Sequence, residues 1–229
     1  MAGEKSTRAG AVYAQIREEI FQGSLHPGQR LRVVELAQRF EVSQSVVREA
    51  LTRLSEQGLV DAAPQQGFSV ITLSLHGLNE LTEARMDIEA LILRRSVERG
   101  DLAWESTLVA AHHSLAGTPL LLPDGTLNGA WFTVHEEFHQ ALLLGCGNAR
   151  LLEVAVELRD AANIYMRWSG TVGGDLGRDV AREHRELLGA ALARDADTAA
   201  DLIARHIDRT ADALRAVIEM HVEPVDSPR

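Results

Sequence analysis

The sequence predicts a mostly α-helical protein in two parts, a small N-terminal α+β unit and a larger C-terminal all-α bundle. Apolar residues recur at helical spacing along most of the 229-residue chain, whereas short β-prone runs occur only near residues 59–72. Glycine- and proline-containing bends separate the helical stretches. Because 45% of the residues are hydrophobic, the chain can bury a sizeable core, and this excludes a disordered protein.

Charge is distributed unevenly between the two parts. Residues 1–75 carry eight basic and eight acidic side chains, whereas residues 76–229 carry fifteen basic and twenty-five acidic ones and hence the whole net charge of -10. Because an acidic surface repels a polyanion, only the N-terminal part is suited to binding nucleic acid.

Three further features indicate the compartment. No stretch approaches the roughly 18 consecutive apolar residues of a membrane-spanning helix, and the first ten residues lack the apolar core of a secretory signal. The single cysteine, Cys146, cannot form an intrachain disulfide. We therefore expect a cytoplasmic protein that has no membrane partner.

The N-terminal part reads as a helix-turn-helix followed by a hairpin. Its predicted elements are helices over residues 12–21 and 33–40, a third helix between Ser43 and Gly58, and strands over residues 59–63 and 68–72. Ser43 is expected to be the N-cap of the third helix. Three short helices and a hairpin predict a winged helix-turn-helix, which reads DNA, with a generic small α+β domain as the alternative.

Everything after Ser74 reads as helix. Six helices are predicted, over residues 78–99, 102–115, 127–144, 151–168, 178–193 and 196–220. The predicted organisation is a flexible N-terminus, a winged helix-turn-helix domain, an all-helical effector- and metal-binding domain and a flexible tail, at residues 1–8, 9–75, 76–221 and 222–229.

Short motifs occur in a fixed order along the chain: IFQGSLHPGQRL at residues 20–31, VSQSVVREAL at 42–51, and later Phe138-His139, Gly147-Asn148, Glu183-His184 and His206-Ile207. With these motifs the chain resembles GntR-family transcription regulators of the FadR-type subgroup, which carry an FCD ligand-binding domain. The resemblance implies a homodimer that binds a palindromic operator. Where the family often has Arg and Pro, this chain has Gln44 and Val46, and glutamine favours adenine where arginine reads guanine.

The third helix is expected to point its N-terminal residues at base edges in the major groove. The candidate DNA-binding residues are Arg32, Ser43, Gln44, Ser45, Arg48, Arg53, Gln66 and Gly67. Arg32 and Arg53 are expected to contact phosphates, and residues 66 and 67 form the tip of the wing. An ion pair with Glu49 or Glu35 is the alternative role of Arg48.

Four histidines form a predicted metal site. His135 and His139 lie four residues apart on one helical face, and His184 and His206 fall among inward-facing residues of two later helices. The resemblance maps an aspartate of metal-binding FCD domains onto His135. An all-histidine set favours Zn, Ni, Co or Cu over Mg or Mn. For each single histidine, a hydrogen-bonded core position is the alternative.

Two functions follow from this pattern. The first is a regulator, not an enzyme, whose small organic acid effector changes the spacing of two DNA-binding domains. Arg85, Asn163 and Arg167 are its candidate effector-binding residues. The alternatives are a salt bridge of Arg85 to Glu89 and a solvent-facing stripe formed by the other two. The metal itself could also be the signal. The second function is a zinc-dependent hydrolase, because residues 135–139 match H-E-x-x-H, in which the glutamate activates water.

Overall fold

A computed structural model describes residues 8–21, 24–63, 67–72, 74–126, 128–168 and 178–221. Its N-terminal elements are α1 (Arg8–Phe21), β1 (Arg30–Leu31), α2 (Val33–Arg39), α3 (Gln44–Glu56), β2 (Val60–Ala63) and β3 (Gly67–Val70). The remaining helices are α4 (Leu75–Arg99), α5 (Leu102–Gly117), α6 (Gly129–Leu143), α7 (Ala149–Trp168), α8 (Val180–Leu192) and α9 (Ala196–His221). The prediction of a mostly helical chain with a winged helix-turn-helix and a helical bundle is confirmed.

The N-terminal part is built around α3, which buries one face against α1 and α2. Its inward residues, spaced three and four apart, are Val47, Ala50, Leu51 and Leu54. The strand β3 lies between β2 and β1 and pairs antiparallel with both. Sequence patterning missed β1, because a two-residue strand has no periodicity. The N-cap prediction for Ser43 holds for the backbone only, since its hydroxyl lies 2.8 Å from that of Ser45 instead of capping α3.

The C-terminal part is a helical bundle in which the long helices α4 and α9 pack along each other. A close approach near the end of α4 depends on glycine. A Cβ on Gly145 would lie 2.8 Å from the carbonyl oxygen of Ser96, and one on Gly100 would overlap the Trp104 ring at 2.2 Å. The Trp104 indole donates to the carbonyl of Ala141 at 2.9 Å and so ties α5 to α6.

Helix α6 differs from its predicted span. It begins after Asn128, whose side chain accepts a hydrogen bond from the Ala130 backbone N–H at 3.1 Å. It ends at Leu143, and a 3-10 turn then leads to Gly147 in a left-handed conformation. The predicted loop at residues 169–177, the wing turn at 64–66 and the chain ends at 1–7 and 222–229 lie outside the described residues.

Helix α7 joins the two parts of the chain. Arg17 of α1 donates to Asp160 of α7 at 3.0 Å, and the side chain of Ile164 is buried in the N-terminal apolar cluster, together with Ile16 and Leu51. The N-terminal core is therefore completed by a residue of the C-terminal part. Nowhere in the described ranges is a helix both long and apolar enough to span a membrane.

Candidate functional site

The first turns of α3 present an exposed polar surface. Gln44, Ser45 and Arg48 are solvent-exposed, while the opposite face of α3 is buried. Arg48 makes no ion pair among the residues that the structure describes, and Glu35 is instead paired with Arg32 at 2.9 Å. The alternative role of Arg48 as an ion-pair partner is thus absent here, which leaves its guanidinium free to meet a ligand.

The other predicted DNA-binding residues surround this surface or the wing. Arg53 is exposed and its guanidinium lies 4.5 Å from the centroid of the Tyr13 ring. Gly67 begins β3 with a φ of 86°, a backbone conformation that favours glycine. The prediction for Gln66 falls outside the described residues.

The four predicted histidines converge in the interior of the helical bundle. His135 and His139 come from α6, His184 from α8 and His206 from α9. One ring nitrogen from each lies within 4.8 Å of the others, and all four side chains are buried. Trp131, one turn before His135, stacks on the His135 ring with 4.4 Å between centroids. Three helices therefore bring together the four histidines that the sequence placed in one cluster.

The histidine cluster is electrically neutral and incompletely hydrogen-bonded. Burial, followed by the neighbouring imidazoles, holds the pKa of His135, His139 and His184 well below its ordinary range, and burial also lowers the pKa of His206. Both ring nitrogens of His139 and Nε2 of His184 are buried without a hydrogen-bond partner in the described part of the chain. Buried polar atoms of this kind are costly unless a ligand satisfies them.

Glu183 lies directly behind the cluster. Its carboxylate accepts hydrogen bonds from His206 Nδ1 at 2.8 Å and from Arg178 at 2.6 Å and 3.0 Å. Burial alone would raise the pKa of Glu183, but hydrogen bonds from His206 and Arg178 hold this pKa well below the usual range. Glu183 is thus an ionised hydrogen-bond acceptor.

A network of charged side chains lies beside the histidines, and Arg85, Glu136 and Arg159 of this network line the cavity. Glu89, fully buried, accepts from Arg85 at 2.6 Å and from Arg159 at 3.1 Å. Arg159 also donates to Glu136 at 2.9 Å, and Asn163 donates to the other oxygen of Glu136 at 3.0 Å. Burial raises the pKa of Glu136, but Arg159 and Asn163 more than offset this effect, so the net shift is downward. The charged side chains at the cavity wall are Arg85, Glu136, Arg159 and Arg178, so positive charge predominates there.

The position of Glu136 bears on the hydrolase alternative. In an H-E-x-x-H hydrolase the glutamate must be free to accept a proton from a metal-activated water. Here both carboxylate oxygens of Glu136 are engaged by Arg159 and Asn163. The geometry favours a structural or ligand-binding role for Glu136.

The predicted effector-binding residues are only partly brought together. Arg85 and Asn163 line the cavity, and the alternative salt bridge of Arg85 to Glu89 is also present. Arg167 belongs to α7, but its side chain lies outside the described part of the structure. Sequence reasoning missed Arg159, although it precedes Asn163 by one helical turn on the same face, and it missed Arg178.

An exposed helix-turn-helix surface joined to a helical bundle is the architecture of a DNA-binding regulator. The chain matches the family described as "Bacterial regulatory proteins, gntR family" over residues 8–70 and the FCD domain over residues 80–209. It belongs to the GntR family of transcription regulators and carries an FCD domain. Such regulators bind DNA operators, and FCD domains commonly bind metals.

Several known proteins are similar to this chain. The uncharacterized HTH-type transcriptional regulator BphR of Paraburkholderia xenovorans is 33% identical, with 90% of this chain and 84% of BphR covered. The HTH-type transcriptional repressor GlaR of Escherichia coli is 29% identical, with 85% and 90% covered. The solved structure of E. coli McbR/YncC has a TM-score of 0.71 at 20% identity, with 94% and 99% covered. These relatives are regulators and not enzymes, as the sequence predicted.

Proposed function

We propose that this regulator holds a divalent metal, zinc being the best fit, between its four buried histidines and that a small carboxylate effector binds beside it to change operator affinity. The observation that carries the proposal is the convergence of four buried imidazoles. Three of their ring nitrogens have no hydrogen-bond partner among the described residues. Cytoplasmic localisation follows from a chromosomal DNA target.

The donor set fits a metal that prefers nitrogen ligands. All four groups are imidazoles kept neutral by burial, which is the protonation state that binds a metal. The absence of a carboxylate from the set favours Zn, Ni, Co or Cu over Mg or Mn. When bound, such an ion supplies a positive centre that attracts an anionic ligand.

The cavity wall carries two hydrogen-bond donors suited to a carboxylate, and the side chain of Glu136 occupies them in this structure. Arg159 and Asn163 grip the two oxygens of Glu136 from one helix face. An effector carboxylate that accepts from Arg159 and Asn163 would displace the carboxylate of Glu136. A divalent metal ion held by the four histidines would attract the negative charge of the effector. Arg85 and Arg178 supply further positive charge at the cavity wall.

Helix α7 would carry the change to the DNA-binding domain. The residues that face the cavity, Arg159 and Asn163, alternate along α7 with residues that contact the N-terminal part, Asp160 and Ile164. A ligand that releases Glu136 from α7 therefore acts on the helix that also anchors the winged domain. An effector shifts the equilibrium only through such differential contacts.

For DNA recognition we propose that Ser43, Gln44, Ser45 and Arg48 reach base edges and that Arg32 and Arg53 contact phosphates. The first four are exposed at the start of α3, which supports base contacts. Arg32, just before α2, and Arg53, in the last turn of α3, are exposed to either side of these residues along the chain. Gln66 and Gly67 form the wing contact. We further propose a homodimer, because the two half-sites of a palindromic operator call for two recognition helices related by a two-fold axis.

The test combines metal analysis with operator binding by the full chain. Elemental analysis of the purified protein should give about one metal ion per chain, and mass spectrometry should detect a co-purified organic acid. Operator affinity is then measured with and without a chelator and, separately, after removal of the acid. A protein with no metal under any loading condition would overturn the metal site. Operator affinity that changes on removal of the metal but not on removal of the acid would make the metal itself the signal and refute the carboxylate effector.

A further inference from the structure

The buried carboxylate of Glu183 contacts the ring of His206, one of the four clustered histidines. We infer that Glu183 is a positioning residue that fixes the proton of His206 on Nδ1 and so keeps Nε2 unprotonated toward the cluster. This inference rests on the proposed metal site and assigns a role to a residue outside the four histidines. Glu183 is 5% exposed and lies on α8 immediately before His184.

In the described part of the chain, the Glu183 carboxylate is contacted by four donor groups, which belong to Arg178, His206 and Arg209. Its Oε1 accepts from Arg178 Nε and from Arg209 Nη1, each at 3.0 Å. Its Oε2 accepts from Arg178 Nη2 at 2.6 Å and lies 2.8 Å from His206 Nδ1. Arg178 Nη2 also lies 3.2 Å from His206 Nδ1, but its two hydrogens are taken at shorter distances by Glu183 Oε2 and by the His206 carbonyl oxygen. Because a carboxylate held by two guanidinium groups accepts hydrogen bonds only, His206 Nδ1 is the donor in the 2.8 Å contact.

The tautomer of His206 follows from this contact. With its proton on Nδ1, the neutral ring presents the lone pair of Nε2, on the far side from Glu183, and a lone pair is what a metal ligand needs. Arg178 also donates to the backbone carbonyl of His206 at 3.0 Å and to the Thr210 hydroxyl at 3.0 Å. The backbone and the ring of His206 are thus held from the same side.

His206 differs from His139 in having a hydrogen-bond partner that fixes its tautomer. Neither nitrogen of His139 has a hydrogen-bond partner in the described ranges, so nothing fixes its tautomer. A histidine oriented by a carboxylate is a more basic and better-ordered ligand. Glu183 therefore gives the site one preorganised imidazole.

Replacing Glu183 by glutamine should reverse the tautomer. The amide group must turn its NH₂ toward one of the two oxygen positions. At the Oε1 position it would face two guanidinium donors, from Arg178 and Arg209, whereas at the Oε2 position it would face only one. The second arrangement points an N–H at His206 Nδ1, which must then accept, and the proton moves to Nε2.

The experiment compares wild type with Glu183→Gln. In the metal-free full chain, ¹⁵N NMR of the histidine rings should show His206 as the Nδ1–H tautomer in wild type and as the Nε2–H tautomer in the variant. Competition of Zn²⁺ between the protein and a chelator should show affinity weaker by about 10–100-fold in the variant. Arg209→Ala, which removes a partner of Glu183 but none of His206, and Glu186→Gln, one turn along α8, should keep the wild-type tautomer and Zn²⁺ affinity.

The outcomes separate this inference from the proposed function. If wild type does not bind Zn²⁺ but shows the Nδ1–H tautomer, the metal site fails and the positioning of His206 by Glu183 stands. If wild type binds Zn²⁺ and Glu183→Gln keeps both tautomer and affinity, the inference is wrong and the metal site stands. Should the variant not fold, an Nε2–H tautomer of His206 in wild type alone would overturn the inference.

Discussion

The two parts of the molecule bury different kinds of side chain. In the described residues of the winged part, the buried positions are apolar, and the polar groups proposed to contact DNA lie on the surface. Among its described side chains, the helical part instead buries nine polar or charged residues: Thr82, Glu89, Ser96, His135, His139, Arg159, Glu183, His184 and His206. The candidate functional side chains of the winged part thus lie on the surface of a hydrophobic core, whereas those of the helical part lie within the core.

This difference predicts how substitutions will behave. A surface side chain on an apolar scaffold can be removed with little effect on folding, because it contributes few contacts. A buried polar side chain is coupled to its partners in a low-dielectric interior, so its removal changes both stability and ligand binding. Function and stability should therefore separate in the winged part and remain linked in the helical part.

The largest effect is expected for Arg48→Ala on operator binding. Losing a base-reading arginine should weaken specific binding by about 1–3 kcal/mol per protomer. Since the side chain is exposed and unpaired among the described residues, the free energy of unfolding should change by less than about 0.5 kcal/mol. Fluorescence anisotropy with operator DNA and urea unfolding measure the two quantities. Arg150→Ala, an exposed arginine of the helical part, is the control of equal charge and should leave operator affinity unchanged.

His139→Leu should change stability and metal binding in opposite directions. The substitution removes two buried nitrogens without partners, so the metal-free protein should gain about 1–3 kcal/mol of unfolding free energy. Zn²⁺ affinity should fall by more than the roughly 100-fold that loss of an outer hydrogen-bond partner produces. Chemical denaturation and chelator competition test both parts, with the exposed His113→Ala as control. Unchanged Zn²⁺ affinity would remove His139 from the site.

Acid should destabilise the metal-free protein through the same histidines. Their pKa values are lowered by burial in the folded state, whereas a histidine in the unfolded chain titrates near 6.5. Below about pH 6.5 the unfolded chain therefore binds more protons, and the free energy of unfolding falls as the pH falls. Urea denaturation at several pH values between 5 and 8 measures the slope. The slope should be shallower in His139→Leu, and equal slopes would contradict the assignment.

The smallest effect on ligand or operator binding is expected at the contact between the two parts. Burial raises the pKa of Asp160 in spite of Arg17, so Asp160→Asn should alter the unfolding free energy by less than about 1 kcal/mol. It should nevertheless change the coupling between metal and operator binding by about 0.5–2 kcal/mol. Operator titrations with and without chelator measure this coupling. Glu157→Gln, exposed on the same helix, is the control, and identical coupling in both variants would argue against transmission through α7.

Local patterning was sufficient for much of the fold. The alternating turn residues and apolar spacing predicted α2 and α3 and the hairpin, and the predicted helices of the bundle correspond to α4–α9 with shifted ends. The ends shifted where a side chain caps a helix, as Asn128 does for α6, because capping depends on one rotamer and not on periodicity.

The candidate site was predictable to a different extent. Each of the four histidines lies on the inward face of its helix, and inward faces can be read from hydrophobic spacing. Arg159 and Glu183 were missed because a charged residue on a helix is expected to face water. Only the packing of α7 and α8 against their neighbours shows that these two side chains point inward and find partners there.

The side chain of Ile164 has a consequence for exchanging domains between regulators. It occupies a slot in the N-terminal core but is supplied by α7, so a fragment cut between β3 and α4 would carry a hole of isoleucine size. A DNA-reading head grafted onto a foreign sensor would need a residue of matching shape at this slot. The N-terminal part therefore cannot be exchanged simply by joining chains between β3 and α4, because its core also includes a residue of α7.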